Sequence, residues 1–151
     1  VGLPLAPTHL PEIRRAGEQI RRAVEASHTI EHPTGAQPSG LDGTIFIGPP
    51  TSDAADLRSV TVLAGGRVDR SPSGTGMAAV MGVLDAMGML AADRPFVLES
   101  LTGTCWIGRV ASRTMVGDRP ALVADIDGAA WITGEHTFVG VDDDPLAEGF
   151  Q

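Results

Sequence analysis

The 151-residue chain has no lysine and no tyrosine, and its only cysteine is Cys105. One thiol excludes an internal disulfide framework and fits a reducing, cytoplasmic setting. All 11 basic residues are arginine, which we read as coding bias rather than function. Positive charge is scarce beside 19 acidic residues, giving a net charge of −8 and a pI of about 4.8. That balance argues against nucleic acid or an anionic membrane as partner. No apolar run approaches the roughly 18 residues needed to cross a bilayer. Nor does a basic region precede a long apolar one at the N-terminus, as a signal peptide requires. What is present is the 42% hydrophobic content of a globular chain, broken by 19 glycines and 11 prolines. This is the size of one domain with a core of its own and many turns.

Residues 10–25 predict a helix. Pro11 suits its first turn, Glu12 complements the dipole, and Ile13, Ala16, Ile20 and Val24 share a face. A second helix is expected from about Gly74 to Met87, with Met77, Val80, Met81, Leu84 and Met87 at helical spacing and Gly88 as its stop. The Met-rich stripe reads as core. β-like runs occur at 44–47, 60–63, 96–99, 105–110, 121–126, 129–133 and 137–141. The expected class is α+β: one β-rich domain over 1–151 with a single apolar helix and neither repeats nor a flexible linker. The stretch Asp142-Asp143-Asp144-Pro145 reads as a solvated turn.

Three short motifs suggest chemistry and fail on context. His28-Thr29-Ile30-Glu31-His32 spells H-x-x-E-H, which binds zinc only with both imidazoles on one helical face. Pro33 pushes His32 toward extended geometry and breaks that face. Asp125-Ile126-Asp127-Gly128 resembles a calcium loop but places its glycine at position 4 where an EF-hand needs position 6. Gly74-Thr75-Gly76-Met77-Ala78-Ala79 matches G-x-G-x-x-A, yet a dinucleotide fingerprint follows directly from a strand. Here Pro72 intervenes, and Asp93, at ribose-contact distance in sequence, falls in a loop-like stretch. Cys105, mid-strand beside Trp106, is expected to be a buried, inert thiol.

The segment from Asp69 to Gly76 is more informative. A glycine-flanked loop feeds straight into an apolar helix, whose first-turn amides and dipole favour an anion, a carboxylate as well as a phosphate. Asp69 could hold an ammonium at the same time, so the segment describes a grip on a zwitterion. Ser73 sits between them, either as an acid/base group facing the α-carbon or as a plain helix cap. Local sequence leaves both roles open.

Asp69-Arg70-Ser71-Pro72-Ser73-Gly74-Thr75-Gly76 resembles the D-R-S-P-C-G-T-G motif of the proline racemase, hydroxyproline epimerase and trans-3-hydroxyproline dehydratase family. Glu99-Ser100-Leu101-Thr102-Gly103-Thr104 with Gly108-Arg109-Val110 resembles its E-S-x-x-G-x…G-R-V segment. Trp131-Ile132-Thr133-Gly134, Phe138-Val139, Asp143-Asp144-Pro145 and Gly149-Phe150 resemble its C-terminal signature. The resemblance runs in order along the whole chain.

It implies the β-rich lobe of a diaminopimelate epimerase-like fold, a curved sheet around a central apolar helix, with the active site between two such lobes. It also implies no pyridoxal phosphate, no metal and no other cofactor. Carried over residue by residue, Asp69 binds the ammonium of a small amino acid, proline or hydroxyproline. Gly74 and Thr75 bind its carboxylate through their amides, and Ser73 takes the second acid/base position.

Two departures qualify this. The N-terminal lobe bearing the partner cysteine is absent from these residues, so the chain alone is expected to have little activity. Its bared cleft surface is expected to drive self-association, including a possible homodimer. Ser73 also replaces a cysteine. A hydroxyl is a far weaker acid than a thiol of pKa near 8.5, which disfavours two-base racemisation. The implied activity therefore leans to dehydration of trans-3-hydroxy-L-proline, with racemisation or 4-hydroxyproline epimerisation as alternatives and a non-catalytic lobe as the other class.

Overall fold

The computed structural model describes residues 2–35, 39–91, 94–141 and 143–145. After a 3-10 turn at Pro7–His9 comes helix α1, Leu10–Ser27. Pro11 lies in its first turn with Glu12, as the sequence predicts. Strands β1 (Gly43–Gly48), β2 (Leu57–Leu63) and the two-residue β3 (Arg67–Val68) follow. Helix α2 is Gly74–Ala86, and β4 (Phe96–Glu99), β5 (Cys105–Val116) and β6 (Arg119–Asp127) complete the sheet. The architecture is α+β, a mixed sheet with helices packed against it.

The sheet order is β1-β2-β4-β5-β6, with β3 pairing β2. All pairings are antiparallel except β2 with β4, which a crossover through α2 makes parallel. One edge of β2 carries β1 along its length. Its other edge changes partner: Leu57 and Arg58 pair with β4, and Val62 and Leu63 with β3. The change falls across Ser59, Val60 and Thr61.

Ser59, Val60, Thr61 and Val62 of β2 are all buried, and the period-two pleat sends Ser59 and Thr61 to one face of the sheet and Val60 and Val62 to the other. Val60 and Val62 join Ile13 of α1 and Leu101 in one core cluster. Gly17 permits the close approach of α1, since a Cβ there would meet Val62 Cβ at 2.7 Å. The second cluster joins Met77, Val80 and Met81 of α2 to Phe96 and Leu98 of β4, with Trp106, Leu122 and Ile126 packed beside them. Of the Met stripe, Met77, Val80 and Met81 are therefore core.

The apolar face of each helix is narrower than its spacing suggests. Ile20 on α1 and Met87 beyond α2 are exposed. On α1 the outer face instead carries an ion-pair ladder in which Arg21 contacts Glu18 at 2.9 Å and Glu25 at 2.6 Å, and Arg22 contacts Glu18 at 2.8 Å. Those hydrogen bonds from Arg21 and Arg22 lower the Glu18 pKa to about 2.

Two expected strands do not form. Residues 129–133 and 137–141 have no regular secondary structure and are exposed throughout. Trp131 is 73% exposed, Ile132 93% and Phe138 92%. Their β-branched and aromatic side chains favour strands only where a neighbouring strand and a core receive them, and the described residues offer neither. The expected turn at 142–145 is described only from Asp143, and Gly149 and Phe150 lie outside the described residues.

Candidate active site

The loop entering α2 is held by its own hydroxyls. Asp69 N–H donates to Thr61 O of β2 at 3.1 Å. Asp69 Oδ1 accepts from Ser71 N–H at 3.0 Å and from Ser71 Oγ at 2.9 Å. Ser71 Oγ in turn accepts Ser73 N–H at 3.1 Å. From the far side Thr102 Oγ1 donates to Arg70 O at 3.1 Å. Thr102 itself bonds the fully buried Ser100, at 2.8 Å between their hydroxyl oxygens. The Glu99–Thr104 segment, matched above only as a motif, thus braces this loop.

Ser73 is the helix N-cap, buried to 7% exposure. Its Oγ accepts Gly76 N–H at 3.3 Å and its carbonyl accepts Met77 N–H at 2.7 Å. Its backbone lies at φ 66, ψ 118, the only non-glycine residue with positive φ among those described. A side chain in that region is strained, and such strain gathers at functional sites.

Because Ser73 engages Gly76 and Met77, the first-turn N–H groups with no partner among the described residues are those of Gly74 and Thr75. Thr75 is exposed and Gly74 half-buried, so these donors open on the surface, and the dipole of α2 favours an anion there. Asp69, half-buried, presents a carboxylate at the start of the same loop. The structure thus brings Asp69, Ser73, Gly74 and Thr75 onto one turn.

The sequence reading missed two neighbours. The Trp106 ring comes within 3.9 Å of where a Cβ on Gly74 would lie. Thr61 Oγ1 lies 3.2 Å from the equivalent point on Gly76. Both approach across the sheet, and no local motif marks them.

The failed motifs resolve on geometry. α1 ends at Ser27 and His28 is extended at φ −137, ψ 138, so His28 and His32 share no helical face. The first glycine of G-x-G-x-x-A opens α2 behind a loop rather than a strand end, and Asp93 lies outside the described residues. Asp127 ends β6 paired to Arg109 at 2.5 Å.

Cys105 departs from expectation: it is exposed. Trp106 and Gly108 face the core on β5, so alternation turns Cys105 outward. Partial desolvation, with the nearby Glu99 carboxylate, holds its pKa above the ordinary thiol value. Glu99 is buried beside it, accepting Thr51 N–H at 2.7 Å, Ser52 N–H at 3.3 Å and the Thr51 hydroxyl. Burial alone would raise its pKa, but those hydrogen bonds and Arg58 outweigh it and the carboxyl sits below its usual range.

Fold and loop together define a mixed-sheet α+β unit whose apolar helix begins at a strained, hydroxyl-bearing turn. The family model for proline racemase matches residues 1–151. The chain belongs to the proline racemase family. It is 35% identical over 150 residues to a proline racemase of Clostridioides difficile, covering 99% of this chain and 45% of that protein. It is 38% identical over 149 residues to a trans-3-hydroxy-L-proline dehydratase of Bacillus cereus, covering 99% and 45%. A crystal structure of a hydroxyproline epimerase from Agrobacterium vitis, with bound trans-4-OH-L-proline, superposes with a TM-score of 0.84 at 29% identity, covering 99% of this chain and 43% of that one. The chain thus spans less than half the length of the curated relatives it matches. Among its described residues no helix is long and apolar enough to cross a membrane.

Proposed function

We propose that this chain is the C-terminal lobe of a two-lobed enzyme of the diaminopimelate epimerase-like fold, working without a cofactor at the α-carbon of proline or hydroxyproline. The observation that carries the reading is the opening turn of α2. The Gly74 and Thr75 amides have no partner among the described residues, Ser73 precedes them as the N-cap, and the Asp69 carboxylate lies at the start of the same loop, where it accepts from Ser71. The amides take the substrate carboxylate and Asp69 takes its ammonium, which leaves the Ser73 hydroxyl toward the α-carbon. The catalytic base on the opposite face comes from the other lobe. An isolated lobe lacks the water-excluded pocket that α-proton removal needs, so this chain alone is inactive.

Ser73 inclines the reaction to dehydration of trans-3-hydroxy-L-proline. The partner base takes the α-proton, the C3–OH bond breaks as Ser73 Oγ donates its proton to the leaving oxygen, and water and a cyclic enamine result. That route needs no second thiol. The 29% identity to a hydroxyproline epimerase solved with trans-4-OH-L-proline bound is the basis for 4-hydroxyproline epimerisation as the second reading. In that case Ser73 would return a proton to the α-carbon.

The test is proton NMR in deuterium oxide on the polypeptide carrying both lobes, with trans-3-hydroxy-L-proline and trans-4-hydroxy-L-proline. Loss of the 3-hydroxy substrate to an enamine or imine is the expected result. Inversion with deuterium at the α-carbon would instead establish epimerisation, and absence of exchange with every prolyl substrate would overturn the enzymatic reading.

A further inference from the structure

The segment 129–141 carries the side chains of buried strands without their burial. Trp131, Ile132, Phe138, Val139 and Val141 are all exposed, and Glu135 and His136 are its only ionisable side chains. Laid out as a strand, the segment points Trp131 and Ile132 to opposite faces, and likewise Phe138 and Val139. Large apolar groups on both faces belong to strands covered on both sides. Completing such a segment takes main-chain partners as well as two apolar covers, and a flat patch supplies no main-chain partners. Among the described residues the sheet runs from β1 to β6, and the segment joins neither edge.

The point of departure from β6 is fixed. A Cβ on Gly128 would lie 2.6 Å from Trp106 Cε2, so only glycine brings the chain this close to the indole. The segment therefore leaves the sheet against a side chain that is itself packed beside the α2 cluster. The relatives contain a further body of chain for it to meet. The match to the Clostridioides difficile proline racemase covers 45% of that protein, which leaves more than half of it outside the match. The match to the hydroxyproline epimerase covers 99% of this chain and 43% of that one, so it takes in this segment within a protein more than twice as long.

We propose that 129–141 is an exchanged sheet element: its two strand-like halves, 129–133 and 137–141, add by main-chain pairing to a sheet edge of the N-terminal lobe and tie that lobe to this one. This rests on the two-lobed reading above. Strand addition satisfies the segment's main chain and covers both of its apolar faces at once.

The test is hydrogen exchange followed by mass spectrometry, on this chain and on the polypeptide carrying both lobes. Peptides spanning 129–141 are expected to exchange freely in this chain at every concentration, and at least about a hundredfold more slowly with both lobes present. Equally fast exchange in the two would overturn the proposal. Protection that grows with the concentration of this chain would make a second copy the occupant and overturn it as well.

A substitution gives a second reading. Ile132 is 93% exposed here, so Ile132→Asp is expected to leave the thermal unfolding of this chain unchanged. With both lobes present the same change is expected to lower the melting temperature and release the protection, since it carries a charge into an apolar cover. Equal loss in both, or none in either, would count against strand addition. Should the two-lobed variant not fold, the wild-type exchange rates decide alone. Protection without turnover of any prolyl substrate would sink the proposed function and leave the exchanged segment standing; turnover without protection would do the reverse.

Discussion

Replacing Ser73 by glycine and by alanine separates backbone strain from the hydrogen bond its side chain makes. At φ 66, ψ 118 a residue with a Cβ carries strain of order 1–3 kcal/mol. Alanine keeps that strain and loses the Oγ bond to Gly76, a cap worth about 1 kcal/mol. Glycine also loses the cap, at about a few tenths of a kcal/mol, and adds about 0.5–1 kcal/mol of unfolded-state entropy. In exchange it removes most of the strain. At the middle of these ranges the balance puts Ser73→Gly about 1 kcal/mol above wild type and Ser73→Ala about 1 kcal/mol below it. For a chain of this size, 1 kcal/mol moves the melting temperature by about 2–4 °C. Thermal unfolding followed by circular dichroism should therefore place the glycine variant about 4–8 °C above the alanine variant. An alanine variant melting level with or above the glycine variant would refute the strain argument. A residue kept as serine against such a gain would be one held for chemistry rather than folding.

Glu99→Gln should cost about 1–3 kcal/mol at neutral pH, because a buried acceptor of three hydrogen bonds loses its charge. The folded pKa of Glu99 lies below its unfolded value, near 4.3. Its contribution is thus present above that pH and fades as pH falls through the folded pKa, and denaturant titrations of the variant should show a flatter acid limb. A parallel acid limb would exclude this role. Gly17→Ala should destabilise by about 1–3 kcal/mol, since the new Cβ would lie 2.7 Å from Val62 Cβ and 2.9 Å from its Cγ1; an unchanged melting temperature would mean α1 can lift from β2 freely. Cys105 should react with an aromatic disulfide in the native chain, one thiol per chain, its rate rising with pH through a midpoint above the ordinary thiol range. Modification only in denaturant would place Cys105 inside after all.

Where the sequence reads correctly, the determinants are local. Pro11 and Glu12 mark the start of α1, and the loop-to-helix step at Ser73-Gly74 marks that of α2. The runs at 44–47, 60–63, 96–99, 105–110 and 121–126 all fall inside observed strands. β5 and β6 extend further than those runs because their outer halves pair with each other while remaining largely exposed, and a solvated hairpin has no apolar period to read. The two residues of β3 are too few to show a pattern. Residues 129–133 and 137–141 have the composition of strands but no partner to pair with among the described residues. At the site, the turn from Asp69 to Thr75 is legible because it is contiguous. Thr61, Trp106 and Thr102 reach it from β2, β5 and the loop before β5, and proximity of that kind leaves no trace in spacing.

The two tryptophans divide between opposite environments, and that makes the chain its own optical reporter. Trp106 sits half-buried in the sheet against Gly74, whereas Trp131 stands in water on the segment after β6. Its indole emission should resemble that of a free side chain and be quenched readily by iodide, while Trp106 resists. Any surface laid over residues 131–141, whether a second copy or another lobe, would shift the Trp131 component to the blue and shield it. The emission spectrum of one sample can then register coverage of that segment, with Trp106 as the internal reference for an intact fold.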